Sequence, residues 1–105
     1  MERAESELCP KVEAAFGLLA KKWTALILFS LNRGEMRFSE FEEAIPGISA
    51  RLLSLRMREL EEEGLVNRRV RTGAAPISVT YSLTKKGASL SAILLDIAKW
   101  AKNYL

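Results

Sequence analysis

The spacing of apolar residues predicts two helices in the first third of the chain. Pro10 suits the first position of a helix, and an apolar stripe that repeats about every 3.6 residues follows it. The residues of this stripe are Val12, Ala15, Phe16 and Leu19. From Trp23 to Leu31 the residues are apolar almost all round, which predicts a second helix that is buried on several sides and ends before residues 32–35.

The middle of the chain carries the signals of two helices about a tight turn. Met36–Phe38 leaves room only for a very short strand. Ser39 is predicted to begin a helix with a capping box, in which the Ser39 hydroxyl accepts from the amide of Glu42 and the Glu42 carboxylate accepts from the amide of Ser39. Pro46-Gly47 ends this helix, and Ser49 is the candidate N-cap of the next one.

An alternating pattern after these helices predicts a β-hairpin. Gly64 fits the left-handed backbone position that follows a helix. Apolar residues then fall on alternate positions from Val66 to Val70 and from Ile77 to Leu83, which predicts two antiparallel strands. Residues 72–76 form the exposed tip between them.

The order of the elements predicts the fold. Thr84 caps a last helix to about Tyr104, so the order is α-α-(β)-α-α-β-β-α, a mainly α fold with a small β-hairpin wing (α+β). Two helices about a short turn, followed by a hairpin, make a winged helix-turn-helix. A single domain is predicted over residues 1–105, with the helix-turn-helix at about 39–63, the wing at about 66–83 and terminal helices at about 10–20 and 85–105.

The distribution of charge is more informative than the net charge of +3. Residues 49–58 and 64–86 contain basic side chains and no acidic one. The basic residues are Arg51, Arg56, Arg58, Arg68, Arg69, Arg71, Lys85 and Lys86. Acidic residues collect mostly in residues 2–13, 40–43 and 59–63. Segregated basic and acidic surfaces are a common footprint of nucleic-acid binding, although most charge runs are only solvated faces.

The helix from Ser49 to Glu63 separates an apolar face from a cationic one. At about 100° per residue, Leu53, Met57 and Leu60 share one face and are predicted to pack on the preceding helices. The opposite face and the helix start carry the residues predicted to reach DNA bases in the major groove. These residues are Ser49, Ala50, Arg51, Ser54, Leu55 and Arg58.

Each of these residue types suits a base edge. An arginine can donate to O6 and N7 of guanine together, and Ser54 can donate or accept. Leu55 either touches a thymine methyl group or is an ordinary exposed leucine, and the alternative for the whole face is a solvated helix surface. Arg56 lies toward the packed side, where a phosphate or a carboxylate is as good a partner as a base.

Basic residues outside this helix are predicted to contact the DNA backbone. Arg69 and Arg71 point away from the apolar face of their strand, which suits phosphate or minor-groove contact. The alternative is a solvent-exposed strand edge, on which the charged side chains prevent pairing with a strand of another molecule. Arg37 and Ser39 are placed to bind phosphate at the start of the first motif helix, although capping alone explains Ser39.

These residues resemble a known family, the HxlR-type winged-helix transcriptional regulators of bacteria and archaea. The resemblance covers roughly Cys9 to the end of the chain and depends on the order and spacing of short motifs. The motifs are Cys9-Pro10, Lys22-Trp23-Thr24, Arg37-Phe38-Ser39-Glu40, Pro46-Gly47-Ile48-Ser49, Leu53, Arg56 to Leu60, Glu63-Gly64-Leu65-Val66, Val79 to Thr84, and Gly87.

The resemblance implies a homodimer that is held by the first and last helices and binds a near-palindromic operator in double-stranded DNA. The last helix supports the dimer independently, because it offers more apolar surface than one small core should need; the alternative is packing within one chain. The predicted interface residues are Leu90, Ile93, Leu94, Ile97, Trp100, Ala101 and Tyr104. No cofactor is expected.

The chain departs from the family pattern in two places. The family usually has a glycine pair before the lysine-tryptophan step, where this chain has Ala20-Lys21. The family's hairpin tip usually ends in two prolines and a basic residue, where this chain has Pro76-Ile77-Ser78. The basic tip is therefore missing, and Arg69 and Arg71 are expected to supply charge lower on the wing.

Cys9 is a candidate redox or electrophile sensor, because several members of the family resemble thiol switches at the cysteine before this proline. A helix N-terminus favours the thiolate, and Lys11 assists, whereas the nearby glutamates oppose it. With one cysteine, oxidation can give only a mixed disulfide, a bond between subunits, or alkylation. The alternative is a structural cysteine packed under the first helix.

The composition argues against several other functions. With no histidine and one cysteine, the usual nucleophile–base triads and metal-sensing clusters cannot be assembled. The acidic N-terminus carries no secretory signal, and the apolar runs are too short to span a bilayer, so a cytoplasmic protein is expected. The main alternative to DNA binding is a winged helix used for protein–protein interaction. RNA binding comes third, because no aromatic residues line a sheet face.

Overall fold

The structure, a computed structural model, describes residues 8–73 and 76–105. The predicted acidic start at Glu2, Glu5 and Glu7 and the middle of the predicted tip lie outside these residues. The helices are α1 (Pro10–Ala20), α2 (Thr24–Ser30), α3 (Phe38–Ala44), α4 (Ala50–Glu62) and α5 (Lys85–Tyr104). The strands are β1 (Met36–Arg37), β2 (Val66–Arg71) and β3 (Ser78–Leu83).

The first two helices meet at a sharp corner. α1 begins at Pro10 as predicted, with Cys9 in extended conformation before it. α2 is shorter than predicted, because Trp23 has a left-handed backbone (φ 80°) and Leu31–Arg33 form a turn of 3₁₀ helix. α2 is buried on several sides as predicted, but Leu26 and Phe29 remain 50% and 37% exposed.

The start of α3 differs from the prediction. The backbone N–H of Arg37 donates to Glu40 Oε1 at 2.7 Å, so the cap is made by the Glu40 carboxylate on the Arg37 amide, and the predicted reciprocal cap of Ser39 and Glu42 does not form. The helix starts one residue early because Arg37 is extended (ψ 161°), and its amide then lies within reach of the side chain three residues on. Ser39 is therefore inside the helix, with an exposed side chain.

Both ends of α4 form as predicted. The Ser49 hydroxyl accepts from the backbone N–H of Leu52 at 3.1 Å. At the other end Gly64 is left-handed (φ 74°), and the N–H of Leu65 donates to the carbonyl oxygen of Leu60 at 2.9 Å. The Thr84 hydroxyl then donates to the Gly64 carbonyl oxygen at 2.6 Å, which joins the end of α4 to the start of α5.

The three strands form one antiparallel sheet in the order β1-β3-β2. β1 pairs through Met36 with Tyr81, and the wing hairpin runs in register from Val66 opposite Leu83 to Arg71 opposite Ser78. The two predicted antiparallel strands form, and in β2 only Val66 is buried, because the outer part of the hairpin extends beyond the core. This arrangement is a winged helix-turn-helix.

The core lies between α2, α3, α4, the sheet and the first half of α5. Its largest fully buried apolar side chains are Phe41, Ile27, Leu28, Leu53, Met57, Leu60 and Leu65. A buried hydroxyl joins two of the helices, since Ser91 Oγ donates to the Leu28 carbonyl oxygen at 2.7 Å. Asn32 Nδ2 donates in turn to the Ser91 carbonyl oxygen at 3.1 Å, so α5 is fixed in both orientation and register against α2.

The terminal helices leave apolar surface uncovered. No residue of α1 is buried, and Phe16 is 66% exposed. Ile93, Ile97, Trp100 and Tyr104 of α5 are also exposed. Leu94 is a correction to the predicted interface, because it faces α2 and is only 6% exposed in the single chain. Leu90 and Ala101 are partly buried.

Among the residues that the structure describes, no single helix is long and apolar enough to cross a membrane. Only α1 combined with Thr24–Arg33 reaches that length and hydropathy, and these two segments are bent by 82°.

Gly87 allows the start of α5 to approach the strand after α4. A Cβ atom added at Gly87 would lie 1.9 Å from the backbone oxygen of Leu65, which also accepts from the N–H of Thr84. We expect Gly87→Ala to lower the free energy of unfolding by about 1–3 kcal/mol, because backbone must shift to admit the methyl group. Urea unfolding monitored by circular dichroism measures this change.

Gly17→Ala is the matched control for this substitution. Gly17 is also helical, but an added Cβ meets no atom within 4 Å in the single chain. This change should leave the free energy of unfolding equal or raise it by up to about 1 kcal/mol. Equal effects of the two substitutions would contradict the close approach.

Candidate nucleic-acid interface

The exposed face of α4 has the form and chemistry of a groove-reading surface. Ser49, Ala50, Arg51, Ser54, Leu55 and Arg58, the predicted base-contacting residues, are all exposed. Most of them line a shallow concavity of about 430 Å³ along one side of the helix. The Ser49 hydroxyl is already used by its cap, whereas Arg51 and Arg58 form no side-chain hydrogen bond or ion pair with any described residue.

The acidic residues of α4 lie outside the part of this face that runs from Ala50 to Arg58. None occurs in the first turn, and Glu61 to Glu63 are at the C-terminal end, where they repel phosphate. Glu59, the first acid in the helix, is paired on the inner side with Lys21 at 3.3 Å and with Arg56 at 3.1 Å. The N-terminal half of α4 is therefore the half that an anionic surface can approach.

Arg56 is a structural residue, which settles the choice that the sequence left open. Its Nε donates to the Lys22 carbonyl oxygen at 2.9 Å, Nη1 contacts Glu59, and only 14% of the side chain is exposed. Lys22 Nζ lies 4.9 Å from the centre of the Trp23 ring. These contacts attach α4 to the corner between α1 and α2, so the orientation of the reading helix is tied to the end of the first helix.

The two wing arginines differ in their surroundings. Arg71 Nη2 lies 3.8 Å from Glu35 Oε1, so part of its charge is neutralised within the chain. Arg69 is exposed and forms no ion pair with a described residue. Glu35 also accepts a hydrogen bond from the Thr80 hydroxyl, and this bond is the largest cause of the lowered pKa of the Glu35 carboxyl. Desolvation, the second largest cause, raises that pKa, and the Coulombic attraction of Arg71 and then of Arg69 lowers it.

A second concave surface lies between the start of α3 and the wing. It has a volume of about 660 Å³, and Arg37, Ser39 and Arg71 are among its lining residues. Arg37 and Ser39 are both exposed, and the Ser39 hydroxyl forms no hydrogen bond with a described residue. The structure thus brings together the predicted backbone-contacting residues of α3 and Arg71 of the wing.

Sequence reasoning missed the role of Glu35. It follows Gly34 in a connecting loop, and its partner Thr80 is forty-five positions away, so no local pattern indicates the contact. The pairing arises because β1 adds to β3 at the edge of the sheet, which carries the preceding residue Glu35 to the base of the wing.

Cys9 is partly buried and free, with no hydrogen bond from its side chain to the first turn of α1. Among the described residues, no group of three or more His, Cys, Asp or Glu side chains could hold a metal ion.

Comparison with known proteins gives a consistent set of relatives. The family model for the HxlR-like helix-turn-helix matches residues 18–105. The HTH-type transcriptional regulator YvaP of Bacillus subtilis is 48% identical over 101 residues, which are 96% of this chain and 93% of that protein. The HTH-type transcriptional regulator YodB of the same organism is 42% identical over 97 residues, which are 92% of this chain and 86% of that protein.

Solved structures agree with these matches. Reduced YodB superposes with a TM-score of 0.80 at 42% identity, covering 93% of this chain and 95% of that one. The redox regulator HypR in its oxidized form superposes with a TM-score of 0.84 at 36% identity, covering 92% and 98%. Structures of diamide-treated and quinone-bound YodB are also similar to this chain.

The Glu35 contact makes a prediction about acid titration. Replacing Thr80 with valine removes the largest cause of the lowered pKa, so the pKa of Glu35 should rise toward its ordinary value of 4.5. A lowered native pKa stabilises the fold above about pH 4.5, and this contribution is lost as the pH falls through the native value. The variant should therefore lose less stability than the original protein over that acid range.

The titration can be followed through the side-chain carboxyl carbon of Glu35 by NMR. Thr80→Ser keeps the hydroxyl donor and should keep the lowered pKa. If Glu35 titrates identically in the valine and serine variants, the hydrogen bond is not the main cause.

Proposed function

The chain belongs to the HxlR-like helix-turn-helix family of transcriptional regulators, and we propose that it controls transcription by binding a near-palindromic operator as a homodimer. The observation that carries this proposal is the outer face of α4, which is exposed, has no acidic residue from Ala50 to Arg58 and carries two arginines that are unpaired among the described residues. Its relatives YvaP and YodB are HTH-type transcriptional regulators.

In the proposed complex α4 enters the major groove through its acid-free part, which runs from Ala50 to Arg58. Arg51 and Arg58 donate to guanine, and Ser54 contacts a neighbouring base. Arg37, Ser39 and Arg69 bind backbone phosphates, which set the register of the protein on the duplex without reading sequence. Arg71 contributes less than Arg69, because Glu35 already holds part of its charge.

A second copy of the chain covers the terminal helices in this proposal. The exposed apolar residues of α1 and α5, including Phe16, Ile97 and Trp100, exceed what an isolated small protein needs to leave in water. An apolar groove of about 200 Å³ between α2 and α5 lies beside them, lined in part by Leu26 and Phe29. Pairing through these helices places two α4 helices on one side, as binding to successive major grooves requires.

Salt dependence separates this function from the use of the fold for protein–protein interaction without DNA. If the dimer makes roughly 6–10 phosphate contacts, its affinity for a duplex should fall by about 10³–10⁵ between 50 and 200 mM salt. Fluorescence anisotropy with a labelled duplex measures this dependence. An affinity that stays unchanged over that range would favour the protein-interaction alternative.

Substitution of individual arginines should separate base reading from backbone contact. Arg58→Ala should cost about 1–3 kcal/mol on the preferred sequence and relax the preference at one base pair. Arg69→Ala should weaken binding to all sequences alike and reduce the salt slope by about one. Lys102→Ala, at the far end of α5, removes the same charge and should change neither quantity. The reverse pattern would mean that base reader and phosphate anchor have been exchanged.

The proposed dimer has its own test. Ile97→Glu should raise the dimer dissociation constant by roughly tenfold or more, because it buries a carboxylate without a partner. Sedimentation equilibrium measures the change. Ile77→Glu introduces the same charge at an exposed wing residue and should leave the dimer intact. If the original protein is a monomer, the proposed dimer is wrong. Binding of the monomer to a single half-site could then still be measured.

We also propose that Cys9 senses oxidants or electrophiles, since YodB has been solved in diamide-treated and quinone-bound forms and HypR in an oxidized form. Cys9 is the last residue before α1, and its side chain forms no capping hydrogen bond with that helix. Diamide would take two electrons and two protons from two thiols as they form one disulfide. A quinone would instead add the thiol across a ring C=C bond: the sulfur bonds to a ring carbon, and the thiol proton ends on a ring oxygen as the quinone becomes a hydroquinone.

Cys9→Ser tests this sensing role. The variant should bind the operator like the original protein but should no longer release it after treatment with diamide or a quinone. DNA binding by gel shift, with intact mass spectrometry to identify the adduct, gives the readout. Release of the operator by the serine variant under the same treatment would exclude Cys9 as the sensor.

A further inference from the structure

Leu55 is exposed where an apolar side chain has no partner in the fold. It is 41% exposed, and it is the only large apolar residue of α4 that the structure leaves in the exposed class. The core positions of this helix are occupied by Leu53, Met57 and Leu60, so Leu55 contributes little to the core. Its position on the reading face therefore needs another explanation.

The neighbours of Leu55 identify the surface that it can join. Arg51 lies one turn before it and Arg58 about one turn after it, and both arginines are unpaired among the described residues. A single leucine between two free guanidinium groups is a poor contact for another protein's apolar surface, because docking would desolvate both charges. A surface that is anionic overall can pair with both arginines, and a small apolar group on that surface can contact Leu55.

The major groove of DNA offers such a group. Among the base edges exposed there, only thymine presents a methyl group, and most of the other groups are hydrogen-bond donors or acceptors. An amino group of cytosine or adenine placed against Leu55 would lose water without gaining a partner, at an energetic cost. Leu55 thus favours thymine for two reasons: it contacts the thymine methyl group, and it disfavours the amino groups of cytosine and adenine.

We infer that Leu55 reads a thymine methyl group that lies between the two guanines contacted by Arg51 and Arg58. This inference depends on the proposed insertion of α4 in the major groove. At about 100° per residue, the three side chains fall within a sector of about 60° on the helix. At about 1.5 Å per residue, Leu55 lies roughly 6 Å beyond Arg51 and 4.5 Å before Arg58 along the axis.

These distances restrict the operator. The two arginines are about 10.5 Å apart along the helix axis, which corresponds to about three base-pair steps at 3.4 Å each. Each half-site should therefore contain two guanines, on either strand, within a few base pairs of one another. The recognised thymine methyl should lie between them.

Replacement of thymine by deoxyuracil tests the methyl contact without altering base pairing. The probe is the strongest duplex selected by the original protein from a random-sequence library, and each dT is replaced singly by dU. At one dT in each half-site, the affinity of the original protein should fall about fourfold, the effect of one methyl group leaving an apolar contact. Leu55→Ala should bind the dT and dU duplexes equally well.

Two comparisons make the result specific to Leu55. Ser54→Ala, a neighbouring change on the same face, should retain the dT preference. Thermal unfolding of Leu55→Ala should match the original protein, because the side chain is not part of the core.

The inference is overturned if no dT in the selected duplex is sensitive to loss of its methyl group. It is also overturned if Leu55→Ala discriminates dT from dU as the original protein does. Either result, with salt-dependent duplex binding intact, leaves the proposed function standing and removes only the role of Leu55. Failure of the original protein to bind any duplex would remove the proposed function as well.

Discussion

Burial of the inner face of α4 is the constraint on which the rest of the structure depends. Leu53, Met57 and Leu60 are almost completely removed from water, and each contributes roughly 1.5–3 kcal/mol to folding. They lie on one side of the helix because their spacing follows its period. The packing that forms the core therefore also holds Arg51 and Arg58 outward. Formation of the core and exposure of the face proposed to read DNA cannot be separated.

Polar contacts refine the position that this packing gives to α4. Arg56 and Glu59 attach the helix to the corner that follows α1, and Thr84 joins its C-terminal end to α5. Glu59 and Glu35 each pair with basic residues of their own chain. The pairing of Glu59 keeps its negative charge away from Arg51 and Arg58, whereas that of Glu35 partly neutralises Arg71 and leaves Arg69 as the stronger of the two proposed phosphate contacts.

Proposed dimerisation and proposed thiol sensing both involve the terminal helices. α1 carries Cys9 at its start, exposed apolar residues along its length, and the corner bound by Arg56 at its end. In the proposed dimer, chemistry at Cys9 would act on a helix that contacts both the second copy and the base of α4. In that dimer, the physical connection between the Cys9 thiol and the spacing of the two α4 helices consists of α1 and the largely buried guanidinium group of Arg56.

The sequence by itself determined the order of the elements, both ends of α4 and the membership of its two faces, because these follow from local backbone preferences and from helical period. Tertiary structure alone decided which charges remain free. Arg56 binds the Lys22 carbonyl and Arg71 approaches Glu35, since folding brings together residues thirty-four and thirty-six positions apart. It also placed the cap of α3 on Arg37 and buried Leu94 within its own chain. Those outcomes depend on which parts of the folded chain come into contact, and the local sequence pattern does not contain that information.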